Sequence, residues 1–154
     1  MYRFLFVLIV AGIMSCGAGP AGKTKDQQPD VYMSALINGN AWKTESVTLN
    51  PLGNLWVIKG ADEEGRVLSL TLPRADGVLS LPVEKGGTTT ITWSVSREEG
   101  FTYAAPYNGY DNSGIIVITL NEPGYLAGEF HSPVSNGGKV INIEKGQFSV
   151  RLTE

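Results

Sequence analysis

The chain has 154 residues, 12 basic and 15 acidic side chains, a formal charge of −3, one cysteine and one histidine. That length supports one domain with a proper hydrophobic core. The charge is spread without long runs, which excludes the concentrated basic face that nucleic acid requires. A single cysteine permits no internal disulfide, so the core alone must hold the fold.

The first element is the run Phe4 to Met14, preceded by Arg3 and followed by Ser15 and Cys16. This is the layout of a secretory signal peptide. Eleven residues are too few for a transmembrane helix, which needs roughly 20 apolar residues at about 1.5 Å each. Ile13-Met14-Ser15-Cys16 resembles the lipobox of bacterial lipoproteins: a branched aliphatic residue, a tolerated residue, a small residue, then cysteine. The resemblance implies cleavage after residue 15 and acylation of Cys16, which becomes the first mature residue. Several acyl chains hold firmly because each buried methylene contributes about 0.8 kcal/mol, whereas a single chain holds marginally. The alternatives are an uncleaved anchor, or an ordinary signal peptide cut near Ala18 or Ala21 that discards the thiol.

Removal of residues 1–15 leaves 139 residues with a formal charge of −4. Residues 16–30 then comprise the lipidated cysteine and "GAGPAGKTKDQQPD", which has almost no large apolar side chain. Such a segment cannot bury enough surface to offset its ordering entropy and reads as a flexible tether. Its root-mean-square reach is roughly 20 Å.

From residue 31 to residue 154 the sequence reads as one all-β domain. Short runs rich in Val, Ile, Thr, Leu and aromatics alternate with Gly, Pro, Asn and Asp. "RVLSLTL" puts Leu68, Leu70 and Leu72 on one face; "TTTITWSV" does the same with Ile91, Trp93 and Val95, and "GQFSVRL" with Phe148, Val150 and Leu152. Period-two alternation of this kind marks sheets with one wet face. "IIVITL" at 115–120 is apolar throughout and reads as a central strand covered on both sides. Asn38-Gly39, Asp76-Gly77, Gly86-Gly87, Asn136-Gly137-Gly138 and Lys145-Gly146 read as tight turns. The strands expected are 31–38, 41–48, 54–60, 66–72, 78–82, 88–96, 101–104, 114–120, 125–131 and a pair across 139–152. About ten short antiparallel strands joined by hairpins must stack as a sandwich or close into an up-and-down, lipocalin-like barrel. The sandwich is the favoured arrangement and the barrel the alternative.

"ALINGNAWKT", "GIIVITLNEPGYLAGEF" and "KVINIEKGQFSVRL" carry a second resemblance. They resemble a family of small Bacteroidota lipoproteins whose β-rich domain has no assigned function. Members begin with an Asn-Gly-x-x-Trp hairpin and close with a Gly-x-Phe strand pair. The likeness spans most of residues 33–152 and rests on turn glycines and core aromatics, so it implies fold and habitat rather than activity. Surface-exposed lipoproteins of that phylum carry acidic residues just after the cysteine, which "GAGPAGKTK" lacks. The implied location is the outer membrane, facing the periplasm, with surface display as the alternative.

The chemistry-bearing residues are few. His131 in "GEFHSP" is the one candidate base for a hydrolase, with Ser132 beside it, yet no nucleophile motif surrounds it and it reads as a surface histidine. One histidine and one lipidated cysteine cannot supply a zinc ligand set. "ADEEG" at 61–65 and "REEG" at 97–100 offer carboxylates for glycoside chemistry, but general acid catalysis needs one of them raised in pKa by burial. Both read as solvated turn charges. "YDNSG" at 110–114 lacks the spacing of a calcium loop. No cofactor motif is present. The long connection "GFTYAAPYNGYDNSG" is the candidate recognition surface, with Tyr103, Tyr107 and Tyr110 beside Asn108 and Asn112. Such residues form an aromatic platform with polar rims, the composition that stacks sugars or contacts a protein partner. The plainer reading is that Tyr103 finishes a strand and the other tyrosines cap an open end. Trp42, Trp56 and Trp93 read as core or edge packing. The sequence therefore points to a non-enzymatic, bilayer-tethered module for a glycan or envelope protein, with a hydrolase of envelope polymers as the alternative.

Overall fold

The computed structural model describes residues 30–95, 102–105 and 114–152. Within them the chain forms β1 (Tyr32–Ile37), β2 (Asn40–Thr44), β3 (Val47–Leu52), β4 (Leu55–Ala61), β5 (Val67–Pro73), β6 (Leu79–Pro82), β7 (Thr90–Ser94), β8 (Thr102–Ala105), β9 (Ile115–Glu122), β10 (Tyr125–Asn136) and β11 (Lys139–Arg151). All pairings are antiparallel. The strands belong to one sheet in the order β2-β1-β11-β10-β8-β7-β5-β4-β3, with β9 and β6 branching from β10.

This sheet is nearly closed into a barrel. It takes the barrel-like alternative rather than the two stacked sheets of a sandwich, and its strand order departs from simple up-and-down succession. The reason lies in β10 and β11, of 12 and 13 residues. The first part of β10 pairs with β9 as far as His131, and its far end pairs with β8 at Ser135. Pro133, which has no amide to donate, falls where the partner changes. Because β10 reaches both neighbours and β11 links it to β1, the hydrogen-bonded network never breaks into separate sheets.

The two outermost strands of the path, β2 and β3, are consecutive in the chain and joined by Glu45 and Ser46. Thr44 Oγ1 donates to the Ala61 carbonyl at 2.6 Å and accepts from the Ser46 amide at 3.0 Å. The Ala61 amide donates to the Ser46 carbonyl at 3.0 Å. A threonine side chain that captures a backbone amide two residues on makes a local turn. The expected strand 41–48 therefore splits, and its two halves carry the chain from one flank of the sheet to the other. Gly60 makes the close approach feasible, since a Cβ there would lie 2.9 Å from Thr44 Cγ2 and 3.1 Å from Met33 Cβ.

Two further expectations change. Lys145-Gly146 is a bulge inside the continuous β11 rather than a turn between two strands. Lys145 adopts φ +50°, and the register shifts there against both β1 and β10. An extra residue in left-handed conformation bends a strand without ending it. Nor are all neighbours hairpins: β5 pairs with β7 past β6, and β6 pairs with β9. The Asp76-Gly77 and Gly86-Gly87 connections are links between strands that do not pair.

The inward faces follow the alternation in sequence. Leu68, Leu70, Leu72, Ile91, Phe148 and Val150 are buried, as are Trp42, Trp56 and Trp93. Each large apolar side chain removed from water contributes on the order of 1.5–3 kcal/mol. β9 is covered on one side only, with Ile116 and Ile118 buried but Ile115 and Val117 half-exposed on the outer wall. Between β10 and β11 two glycine–phenylalanine pairs face each other in opposite sense, Gly128 across from Phe148 and Phe130 across from Gly146. Each ring occupies the space where the opposing glycine lacks a side chain, and the ring centroids lie 6.4 Å apart.

Candidate functional site

The end of the barrel at the β4–β5 connection brings together Trp42, Trp93, Asp62 and Arg66. Trp42 of β2 meets Trp93 of β7 edge to face, with centroids 5.5 Å apart and an interplanar angle of 87°. Such contacts align the positive ring edge with the negative face of its partner. The indole Nε1 of Trp42 donates to Asp62 Oδ2 at 2.8 Å. Asp62 stands in the β4–β5 connection, where its Oδ1 accepts from the Arg66 amide at 2.9 Å and its Oδ2 accepts from Arg66 Nε at 2.6 Å. The backbone closes the same turn, with the Asp62 amide bonded to the Arg66 carbonyl and the Gly65 amide to the Asp62 carbonyl, each at 3.1 Å. Gly65 supplies φ +78° for that turn.

Burial raises the Asp62 pKa, but the opposing effect wins. Hydrogen bonds from the Arg66 side chain and amide, the Trp42 indole and the Arg66 charge hold the carboxyl below its ordinary value. A glycosidase acid needs the reverse shift. Asp62 is therefore a fixed carboxylate that locks the turn over the tryptophan pair. Glu63 and Glu64 are exposed, and Arg66 Nη1 pairs with Glu64 at 3.2 Å. An open cleft beside the turn is lined by Lys43, Glu45, Asp62, Glu64 and Arg66. Among the described residues no group of three or more His, Cys, Asp and Glu side chains is placed to hold a metal ion.

Tyr103 belongs to the same end. It pairs across the sheet with Trp93, is half-buried, and packs against the core. Directly opposite residues of paired strands share a face, so Tyr103 extends the Trp42–Trp93 row to the rim. Ser94 Oγ and Thr102 Oγ1 share a hydrogen bond of 3.0 Å on the opposite face. Tyr107, Asn108, Tyr110, Asn112, the "REEG" acids and Cys16 lie outside the described residues.

Comparison with protein-family models, curated proteins and solved structures finds no match to this chain.

The remaining candidates separate. His131 is exposed, whereas Ser132 is buried and donates to the Pro133 carbonyl at 2.9 Å. Neighbouring residues of a strand point to opposite faces, so this pair does not form a nucleophile and its base. The reading of "ADEEG" as solvated turn charges fails at Asp62, whose carboxylate is largely buried and bonded to Trp42 and Arg66. Its signal was present in "DEEGR": an aspartate preceding a turn glycine, with an arginine four residues on, is the pattern of a side chain that caps its own turn. The partner Trp42 lies 20 residues away, and only the fold brings it there.

Proposed function

We propose that this chain is a cell-envelope lipoprotein anchored to the membrane through acylated Cys16, whose β domain is a non-enzymatic binding or accessory module for a glycan or an envelope protein. The observation that carries the reading is Ile13-Met14-Ser15-Cys16 at the end of an eleven-residue apolar run. The resemblance of residues 33–152 to small Bacteroidota lipoproteins implies the same habitat, and the lack of acidic residues in "GAGPAGKTK", directly after Cys16, favours the periplasmic side of the outer membrane.

The form of the domain supports a surface module. Large side chains fill the centre of the sheet, from Trp42 and Trp93 through Leu70 to Phe130 and Phe148. A lipocalin-like barrel instead keeps space for a small ligand. Recognition therefore belongs to the outer wall or the rim, where Tyr103 stands.

Anchoring is tested by labelling cells with palmitate. Wild type is expected to incorporate the label and Cys16→Ala to lose it; labelling that survives Cys16→Ala overturns the anchor. Recognition is tested by a thermal-shift screen against glycans, peptidoglycan fragments, fatty acids and calcium. A specific ligand at about a hundred times its Kd adds about 2.7 kcal/mol, which raises Tm by roughly 8–14 °C. A flat screen rejects the small-ligand form and leaves an envelope protein as the partner.

A further inference from the structure

The end of the barrel opposite the tryptophan pair is defined by where the strands stop. β1 runs antiparallel to β11 with Tyr32 across from Ser149, and Arg151 lies across from Tyr125. The chain thus enters the described domain at Asp30, level with the β9–β10 turn. The β3–β4 turn and the β5–β6 link lie at this end as well. The Arg74 amide donates to the Asn54 carbonyl at 2.8 Å, Asn121 Nδ2 donates to the Ala75 carbonyl at 2.7 Å, and the Leu152 amide donates to the Gly124 carbonyl at 3.0 Å. These bonds join separate connections into one rim.

That rim carries Leu52 and Val78, 63% and 69% exposed, the two most exposed large hydrophobic residues among those described. Single exposed apolar side chains are ordinary on a soluble surface. Here two project from hydrogen-bonded neighbouring connections, at the end where the chain leads back towards Cys16. Val140, 44% exposed, sits beside the β10–β11 turn at the other end.

We propose that this rim rests on the bilayer, with Leu52 and Val78 entering the headgroup region of the membrane that holds the acyl chains. The proposal depends on the anchoring reading above. Two apolar side chains bind a membrane weakly when free. Only 14 residues separate Cys16 from Val31, so the second contact is intramolecular and a weak affinity becomes an occupied state. Docking in this way turns the Trp42–Trp93–Tyr103 end away from the lipid and towards the envelope space, where a partner can reach it.

The test uses the full chain purified from membranes and added to vesicles of phosphatidylethanolamine and phosphatidylglycerol containing a nitroxide-labelled lipid. Leu52→Cys, Val78→Cys and Val140→Cys each introduce one thiol for an environment-sensitive fluorophore, since acylation blocks Cys16. Exposed positions tolerate the change. Quenching at positions 52 and 78 is expected to exceed that at 140 by at least about threefold, with blue-shifted emission. Equal or absent quenching at the three positions, in chains whose mass includes the acyl chains, overturns the docking and leaves the anchor intact. A mass without acyl chains removes the anchor, and the docking falls with it.

Discussion

Gly146→Ala isolates the packing between β10 and β11. A Cβ at residue 146 would lie 2.4, 2.5 and 2.6 Å from Cε2, Cδ2 and Cζ of Phe130. Real Cβ atoms essentially never come so close, and the ring has little room to withdraw. Phe130 is 2% exposed and neighbours Phe148. Phe148 in turn lies over Gly128, where a Cβ would meet Val117 O at 2.4 Å. Gly146 does not occupy the left-handed region, so alanine meets steric resistance rather than backbone strain. Overpacking of this kind costs about 1–3 kcal/mol, and the lower entropy of the unfolded alanine chain offsets about 0.4–1 kcal/mol. A net loss of about 1–2 kcal/mol is expected, which lowers Tm by roughly 3–10 °C. Urea unfolding of wild type, Gly146→Ala, Phe130→Leu and the double variant measures the coupling. Leucine removes the clashing ring atoms, so the alanine is expected to cost at least about 1 kcal/mol less in the Phe130→Leu background. Equal costs in both backgrounds, or a stabilising Gly146→Ala, would refute the account.

Asp62→Asn retains one carbonyl acceptor but turns an amide group towards the Trp42 and Arg66 donors, so a loss of about 1–3 kcal/mol at neutral pH is expected by chemical denaturation. Because the folded pKa of Asp62 is lowered from about 3.8, its stabilisation is present above that value and is lost as pH falls through the folded pKa. The difference between wild type and Asp62→Asn should therefore shrink below about pH 4; a constant difference down to the acid transition would show that ionisation is not its source. Ser149 Oγ is buried without a hydrogen-bond partner among the described residues, so Ser149→Ala should be neutral or stabilising by up to about 1 kcal/mol, as read from the urea midpoint. His131→Ala should leave Tm within about 2 °C of wild type, because substitutions at such exposed positions stay within about 0.5 kcal/mol.

The sequence alone determined the strands, their inward faces and several turns. Leu68, Leu70 and Leu72 alternate with polar neighbours, and a strand places alternate residues on one face whatever its partner. Asn38-Gly39 and Gly137-Gly138 reach positive φ in the expected places, because that preference belongs to the residues themselves. The burial of Trp93 was legible for the same reason as that of the leucines, since it falls in the period-two alternation of Ile91 and Val95. Tertiary structure decided the rest. Strand 41–48 splits because Thr44 reaches Ala61, 17 residues away. Lys145 enters the left-handed region inside β11 because Gly146 must face Phe130. Asp62 becomes a fixed carboxylate because the fold delivers Trp42 to it, and Tyr103 becomes part of the rim because β8 lies beside β7. Periodicity and turn preference are properties of neighbouring residues, whereas barrel closure, bulges and the site depend on contacts whose chain separation no local pattern encodes.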